Sequence, residues 1–296
     1  MLKLGFLGYG EVGYYVSKGF GQDGLTGIRA FDVGLLKDDA YKQTILDRGK
    51  DAGVTFTASL EELMKTCDVV VAAVPSRFNR DLALSVLPLM KPEILYVDLS
   101  SSAPALKEEM AAKFAEKGCK YVDGVILEGP PAKLHKVLMY LSGKGAEDWM
   151  SLTKPYNTRC ELLEGPAGFA AKVKIVRSAF MKGFEALCIE SFLFARKCGI
   201  EQRIMDSLST VFNNEAFESV VTRMMCTNTV HSKRRALEAE DSIDLMNAEG
   251  IEPAMCTSTV KRLHKTADLG LREDLRGIPP TDLETLYRLW ESKKYV

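Results

Sequence analysis

Two features of the chain carry residues that can do chemistry: a glycine-rich turn behind the first apolar run, and a lysine near the start of a long helical stretch. Gly8-Tyr9-Gly10-Glu11-Val12-Gly13 has the spacing G-x-G-x-x-G, after the apolar run Leu2 to Leu7 and before a helical pattern. In that context the first glycine turns the chain and the second lets a pyrophosphate approach the backbone. The third lets helix pack on strand, and the helix N-terminus faces the phosphates. The second apolar run ends in Asp32. A carboxylate there accepts hydrogen bonds from the adenosine ribose hydroxyls and repels a 2'-phosphate. NAD is therefore the expected cofactor, with NADP not excluded because Arg29 and Lys37 lie nearby and can offset the repulsion.

The lysine is Lys172, in Gly165-Pro166-Ala167-Gly168-Phe169-Ala170-Ala171-Lys172, and the helical stripe through it continues with Ile175, Val176, Ala179, Gly183 and Ala186. A lysine heading an apolar face at a helix N-terminus stands on the wrong side of the macrodipole. Dipole and burial together would lower its pKa toward neutrality, which suits proton transfer at a substrate hydroxyl. The alternative is a side chain that snorkels to solvent. Val69 to Val74 runs into Pro75-Ser76-Arg77, and Ile94 to Val97 runs into Asp98-Leu99-Ser100-Ser101-Ser102. Both exits belong on the carboxyl edge of a sheet, where open α/β folds bind ligands. Val74, Pro75 and Ser76, and likewise Ser100 and Ser101, are accordingly expected to line a ligand on that edge. The hydroxyls also read as plain turn and cap chemistry.

The elements that must position these groups alternate in the first half. Strands are expected at Leu2 to Leu7, Ile28 to Phe31, Val54 to Phe56, Val69 to Val74, Ile94 to Val97, Tyr121 to Ile126, Val137 to Leu141 and Cys160 to Leu163, with helical patterns between them. That is the pattern of a mostly parallel sheet covered by helices. Val69 to Val74 is apolar at every position, as a strand buried on both faces requires. Ser59-Leu60-Glu61-Glu62 reads as a capping box, and Ser102-Ala103-Pro104 puts an N-cap shortly before a helix-opening proline. Beyond Gly165 the strand-like runs stop. Gly168 to Lys197 is a proline-free helical stretch closed by Gly199, a rod of ~45 Å at 1.5 Å per residue. The reading is a Rossmann-type α/β domain over residues 1–164 and an all-α domain over residues 165–296, joined by a long interdomain helix.

Composition narrows the class of function. Lys and Arg number 39 and Asp and Glu 40, for a net charge of -1, which argues against nucleic acid or an anionic membrane as the main partner. The 46% of apolar residues includes no uninterrupted run near the ~20 that cross a bilayer. Seven cysteines, with no C-x-x-C pair and three histidines, point to reduced thiols in a cytoplasmic protein without a metal site. The first residues read as a strand rather than a signal peptide. A homodimer through the helical domain is expected from its apolar-striped helix.

Gly8-x-Gly10-x-x-Gly13, Asp98-x-Ser100-Ser101 and the glycine-rich turn leading to Lys172 together resemble the β-hydroxyacid dehydrogenases, the group of 3-hydroxyisobutyrate and 6-phosphogluconate dehydrogenases. The stretch Lys174 to Glu190, with His231-x-x-Arg234-Arg235-Ala236 and Gly250-Ile251-x-Pro253, resembles a branch with a phosphogluconate-dehydrogenase-like C-terminal domain of unassigned function. The resemblance implies that Lys172 is the general acid/base and that Ser100 helps to bind a substrate carboxylate. It also implies hydride transfer between C4 of the nicotinamide and the hydroxyl-bearing carbon. Two departures stand out. Val176 occupies the place of an Asn that orients lysine and substrate. The segment usually written Asp-x-Pro-Val-Ser-Gly-Gly appears as Asp123-Gly124-Val125-Ile126-Leu127-Glu128-Gly129, where Glu128 would repel a nearby carboxylate. Gly124, Val125 and Val176 are the expected substrate contacts there, joined by His231 as a second proton carrier and by Arg234 or Arg235 as an anion contact; the alternative for these three is a solvated polar, basic helix face. The leading expectation is an NAD(P)-dependent dehydrogenase or reductase acting on a small polar hydroxy compound, a hydroxyacid or related anion. An imine reductase on the same scaffold and a non-catalytic cofactor-binding sensor are the competing readings.

Overall fold

The computed structural model describes residues 2–37 and 39–295. All eight expected strands form, each within two residues of the expected ends. Along the chain run β1 (Leu4–Leu7), α1 (Glu11–Gln22), β2 (Arg29–Phe31), α2 (Ala40–Ala52), β3 (Thr55–Phe56), α3 (Leu60–Thr66) and β4 (Val69–Ala72). There follow α4 (Ser76–Val86), β5 (Leu95–Asp98), α5 (Pro104–Glu116), β6 (Lys120–Ile126), α6 (Pro130–Lys133), β7 (Leu138–Ser142), α7 (Ala146–Thr153) and β8 (Arg159–Leu162). The strand order is β3-β2-β1-β4-β5-β6-β7-β8, with the first six parallel, β7 antiparallel to β6, and β8 parallel to β7.

The order reverses between β1 and β4. That crevice, outside the carboxyl ends of the strands, is where doubly wound sheets take their ligands. Every residue of β1, β4 and β5 is buried, because helices cover both faces. One face of the core gathers Phe6, Phe20, Val71, Val97 and Trp149, the other Leu7, Val70, Tyr96, Met110 and Phe114. Ser59 caps α3 through Glu62 N–H, and Glu62 returns its carboxylate to Ala58 N–H, a slightly displaced capping box. Ser102 departs from its expected role: Ala103 is the N-cap of α5, and the Ser102 hydroxyl accepts from Asn79 instead.

The remaining elements are helical: α8 (Phe169–Lys197), α9 (Glu201–Asn214), α10 (Phe217–Ala248), α11 (Ala254–Ala267), α12 (Leu271–Asp274) and α13 (Leu283–Ser292). The chain divides into two compact units, Met1–Ser178 and Ala179–Val296, and the division falls inside α8. In the second unit α10 packs beside α11, and Glu190 accepts from Met255 N–H and Cys256 N–H at 2.7 and 2.8 Å, capping α11 with a charge where the macrodipole favours one. Among the described residues no helix is long and apolar enough to cross a membrane.

Candidate functional site

The glycine turn does three different jobs at its three glycines. Gly8 has φ +84°, and a Cβ there would sit 2.5 Å from Val74 Cγ1, so it is the turn and the point where β1 meets the exit of β4. A Cβ on Gly13 would lie 2.7 Å from the Gly8 carbonyl oxygen, so this residue lets α1 pack on the loop. A Cβ on Gly10 would meet nothing within 4 Å. Gly10 is also the N-cap of α1 and offers no capping side chain, so the first-turn N–H groups, those of Glu11, Val12 and Gly13 among them, are left to an outside acceptor. Open space over uncapped N–H groups fits a pyrophosphate. Asp32 is buried and braces this loop: one carboxylate oxygen accepts from Tyr9 N–H at 2.6 Å, the other from Gly34 N–H at 2.7 Å. The Tyr9 side chain is not a ligand contact. It lies in the core with its hydroxyl 2.8 Å from Ser17 Oγ, and burial pushes its pKa up to about 12.

Along the same edge the exits of β4, β5 and β6 are tied together by buried charge. Asp98, at the end of β5, accepts from Asn79 Nδ2 at 2.8 Å, Tyr121 OH at 2.5 Å and Ser100 N–H at 2.8 Å. The Val74 N–H donates to Ser100 Oγ at 3.4 Å, joining the Val74-Pro75-Ser76 exit to the serine loop. Lys107 on α5 is wholly buried and donates to Asp123 Oδ1 at 2.7 Å and to the carbonyls of Asp98 and Gly124 at 3.1 Å each. The other oxygen of Asp123 accepts from Ser142 Oγ, Gly168 N–H and Ala171 N–H, while Ala170 N–H donates to Ser142 Oγ. Asp123 and Ser142 thus cap the start of α8 from inside the sheet. Lys107 lies outside the sequence candidates; it shares one helical stripe with Met110 and Phe114, and all three are buried.

The two lysines at the start of α8 part company. Lys172 is exposed, with 56% of its side chain in solvent, and pairs with Glu108 of α5 at 2.8 Å. The expected burial is absent because the face of α8 packed on the sheet is formed by Ala170 and Ala171 with Val125. Lys174, two residues on, turns to the serine loop, with its ammonium 2.6 Å from Ser101 Oγ. Ser178 lies one turn beyond Lys174 on the same face of α8, whereas Val176 is 71% exposed. Arg177 reaches the Leu127 carbonyl after β6, at 3.5 Å.

The β6 exit also differs from expectation. Val125 is buried with Ala170 and Ala171, and a Cβ on Gly124 would stand 2.6 Å from Leu99 Cδ2, so neither presents a side chain to a ligand. Glu128 is not a loose repelling charge. Lys133 at 2.8 Å holds its carboxyl below the usual range, and Leu138 N–H and Arg159 supply further contacts.

In the second unit His231, Arg234 and Arg235 share α10. Arg234 is exposed and paired with Glu238 one turn on. Arg235 is half-buried and donates to Thr227 Oγ1 at 2.9 Å, and burial with Arg234 beside it draws its pKa down. All seven cysteines are free thiols, and the described residues contain no His/Cys/Asp/Glu cluster able to hold a metal.

A doubly wound sheet with a glycine cradle at its switch point and a helix-borne lysine at its carboxyl edge defines a dinucleotide-binding oxidoreductase scaffold. Residues 3–156 match the family model described as the NAD binding domain of 6-phosphogluconate dehydrogenase, and the chain belongs to that family. Residues 195–266 match a domain of unknown function. A curated relative, an NADH-dependent oxidoreductase from Aspergillus ustus, is 22% identical over 209 residues, 71% of this chain and 70% of its own. Among solved structures, a conserved protein of unknown function described as similar to 3-hydroxyacid dehydrogenases is 25% identical, with TM-score 0.60, covering 92% of this chain and 99% of that one. An imine reductase variant from Myxococcus stipitatus, in complex with NAD+, shares the fold with TM-score 0.75 at 18% identity, covering 98% of this chain and 99% of that one. The chain is an NAD(P)-binding oxidoreductase of the scaffold common to hydroxyacid dehydrogenases and imine reductases.

Proposed function

We propose that the protein transfers hydride between a nicotinamide cofactor and a small polar hydroxy compound, a hydroxyacid or related anion, with a lysine of α8 as general acid/base. The observation that carries this reading is Lys174 Nζ at 2.6 Å from Ser101 Oγ, on the edge that also holds the glycine cradle. Lys172 is the lysine that the sequence motif favours, but it turns to Glu108 on α5, and Lys174 is the one whose side chain meets the serine loop. Asp32, Val74, Pro75 and Ser76 would flank the cofactor, whose nicotinamide supplies or accepts the hydride. In the oxidising direction the Lys174 amine takes the hydroxyl proton once it has itself shed one, while the adjoining carbon gives its hydride to the nicotinamide and the C–O bond becomes a carbonyl. Ser100 and Ser101 orient the substrate oxygen.

A reductive reaction at a carbon–nitrogen double bond is the second reading, supported by the fold shared with the Myxococcus stipitatus enzyme. Reduction of NAD+ and NADP+ by a panel of short hydroxyacids, set against NAD(P)H oxidation with cyclic imines and ketone–amine mixtures, separates the two. Turnover confined to the imine panel overturns the first reading, and cofactor binding without turnover on either panel leaves only a sensor.

We also propose that a second copy of the chain covers the helical unit. In residues 179–197 of α8 only Glu190 and Ala195 are buried, while Phe180, Phe184, Phe212 and Phe217 form an exposed aromatic cluster. Soluble monomers rarely leave such a patch open. Light scattering at micromolar concentration is expected to give twice the chain mass, and a monomer would sink the proposal.

A further inference from the structure

We infer that Arg177 is the residue that selects the substrate, by holding the carboxylate of a short hydroxy acid while Lys174 serves its hydroxyl; the inference rests on the dehydrogenase reading above. β5 and β6 are parallel neighbours with Asp98 opposite Asp123, so their exits lie side by side. From α8, Lys174 reaches the first exit at Ser101 and Arg177 reaches the second at the Leu127 carbonyl. Residues three apart on a helix are surface neighbours, their Cβ atoms ~5–6 Å apart. That spacing suits a molecule whose hydroxyl carbon stands one or two bonds from its carboxylate.

Charge at this edge points the same way. The local carboxylates are already engaged: Asp98 with Asn79, Tyr121 and Ser100 N–H, Asp123 with Lys107, Ser142 and the α8 N–H groups, and Glu128 with Lys133 and Leu138 N–H. Among the described residues no ion pair with a carboxylate is seen for Arg177, and the hydrogen bond it makes is the long one to Leu127 O. A guanidinium offers a planar fork that takes a carboxylate in two parallel hydrogen bonds, which an uncharged imine cannot accept. The floor between the exits adds no competing side chain, because Gly124 has none and Val125 is buried.

The test is calorimetric binding to the cofactor-saturated full-length protein, using 3-hydroxypropanoate and its isosteric amide, 3-hydroxypropanamide, which differ in one charge. Wild type is expected to bind the acid and not the amide. Arg177→Gln is expected to weaken the acid by about tenfold or more and Arg177→Lys to restore part of the loss, with circular dichroism and NADH binding unchanged in both variants. Equal affinity for acid and amide, no binding of the acid by wild type, or an Arg177→Gln variant with wild-type affinity overturns the inference. Binding that depends on Arg177 without any hydride transfer would retain the anion site and reject the dehydrogenase reading, so the two failures are distinguishable.

Discussion

The Lys107 ammonium stands 2.7 Å from Asp123 Oδ1, and solvent reaches neither side chain. This pair joins the three segments on which the candidate site depends. Through the Asp98 carbonyl Lys107 holds the base of the serine loop, through the Gly124 carbonyl the exit of β6, and through Asp123 the first turn of α8. A buried pair is not in itself a source of stability, because both charges are desolvated, but removing one partner leaves the other uncompensated.

Lys107→Met is therefore expected to destabilise the first unit by roughly 3–5 kcal/mol, measured as a lowered midpoint in urea. Adding Asp123→Asn to that variant should recover part of the loss by removing the orphaned charge. A single Lys107→Met variant as stable as wild type would show that the pair does not organise this edge.

Lys174→Ala is expected to bind NADH normally and to lose about 10²-fold or more in turnover, as removal of a general acid/base does. Lys172→Ala is expected to lose much less, since an exposed ion pair such as that with Glu108 contributes little. Steady-state kinetics on whichever panel shows turnover decides between them, and the reverse order would return the catalytic role to Lys172.

Gly10→Ala and Gly8→Ala should fail differently. A methyl group at Gly10 has room in the fold but stands where the pyrophosphate would come, so the variant should keep its thermal midpoint and lose the stabilisation that NADH confers. At Gly8 the added carbon meets Val74 and the backbone is left-handed at φ +84°, so the variant should unfold at lower temperature even without cofactor. Differential scanning fluorimetry with and without NADH reads both.

Alkaline stability should fall as pH rises above 10. Burial raises the pKa of Tyr9 from 10.0 to about 12 and raises those of Tyr96 and Tyr121 well above the usual phenol value. The folded state then keeps protons that the unfolded chain releases, so the stability is fully present below the unfolded value and is lost as pH climbs through the folded one. For Tyr9 the window from 10.0 to about 12 corresponds to roughly 3 kcal/mol. Urea midpoints of wild type and Tyr9→Phe should converge across this window, and a constant difference would contradict the assignment.

Short-range patterns determined much of this protein. Apolar runs bounded by turns gave all eight strands, the G-x-G-x-x-G spacing gave the cradle, and an unbroken stretch from Gly168 to Lys197 gave α8 to within a residue. Each depends on neighbours in the chain, which a single sequence displays. The tertiary structure decided which side chains face the edge. Lys172 and Lys174 are separated by ~200° around the helix, and the sequence does not say which of the two meets the sheet. That follows from Asp123 and Ser142 fixing the first turn of α8 and from Ala170 and Ala171 packing on Val125, contacts made across 28 to 48 residues of chain. The same long-range packing buried Tyr9 and Lys107 and brought Arg159 to Glu128. Hydrogen-bond satisfaction in a closed core chooses partners by proximity in space, which residue type and spacing do not encode.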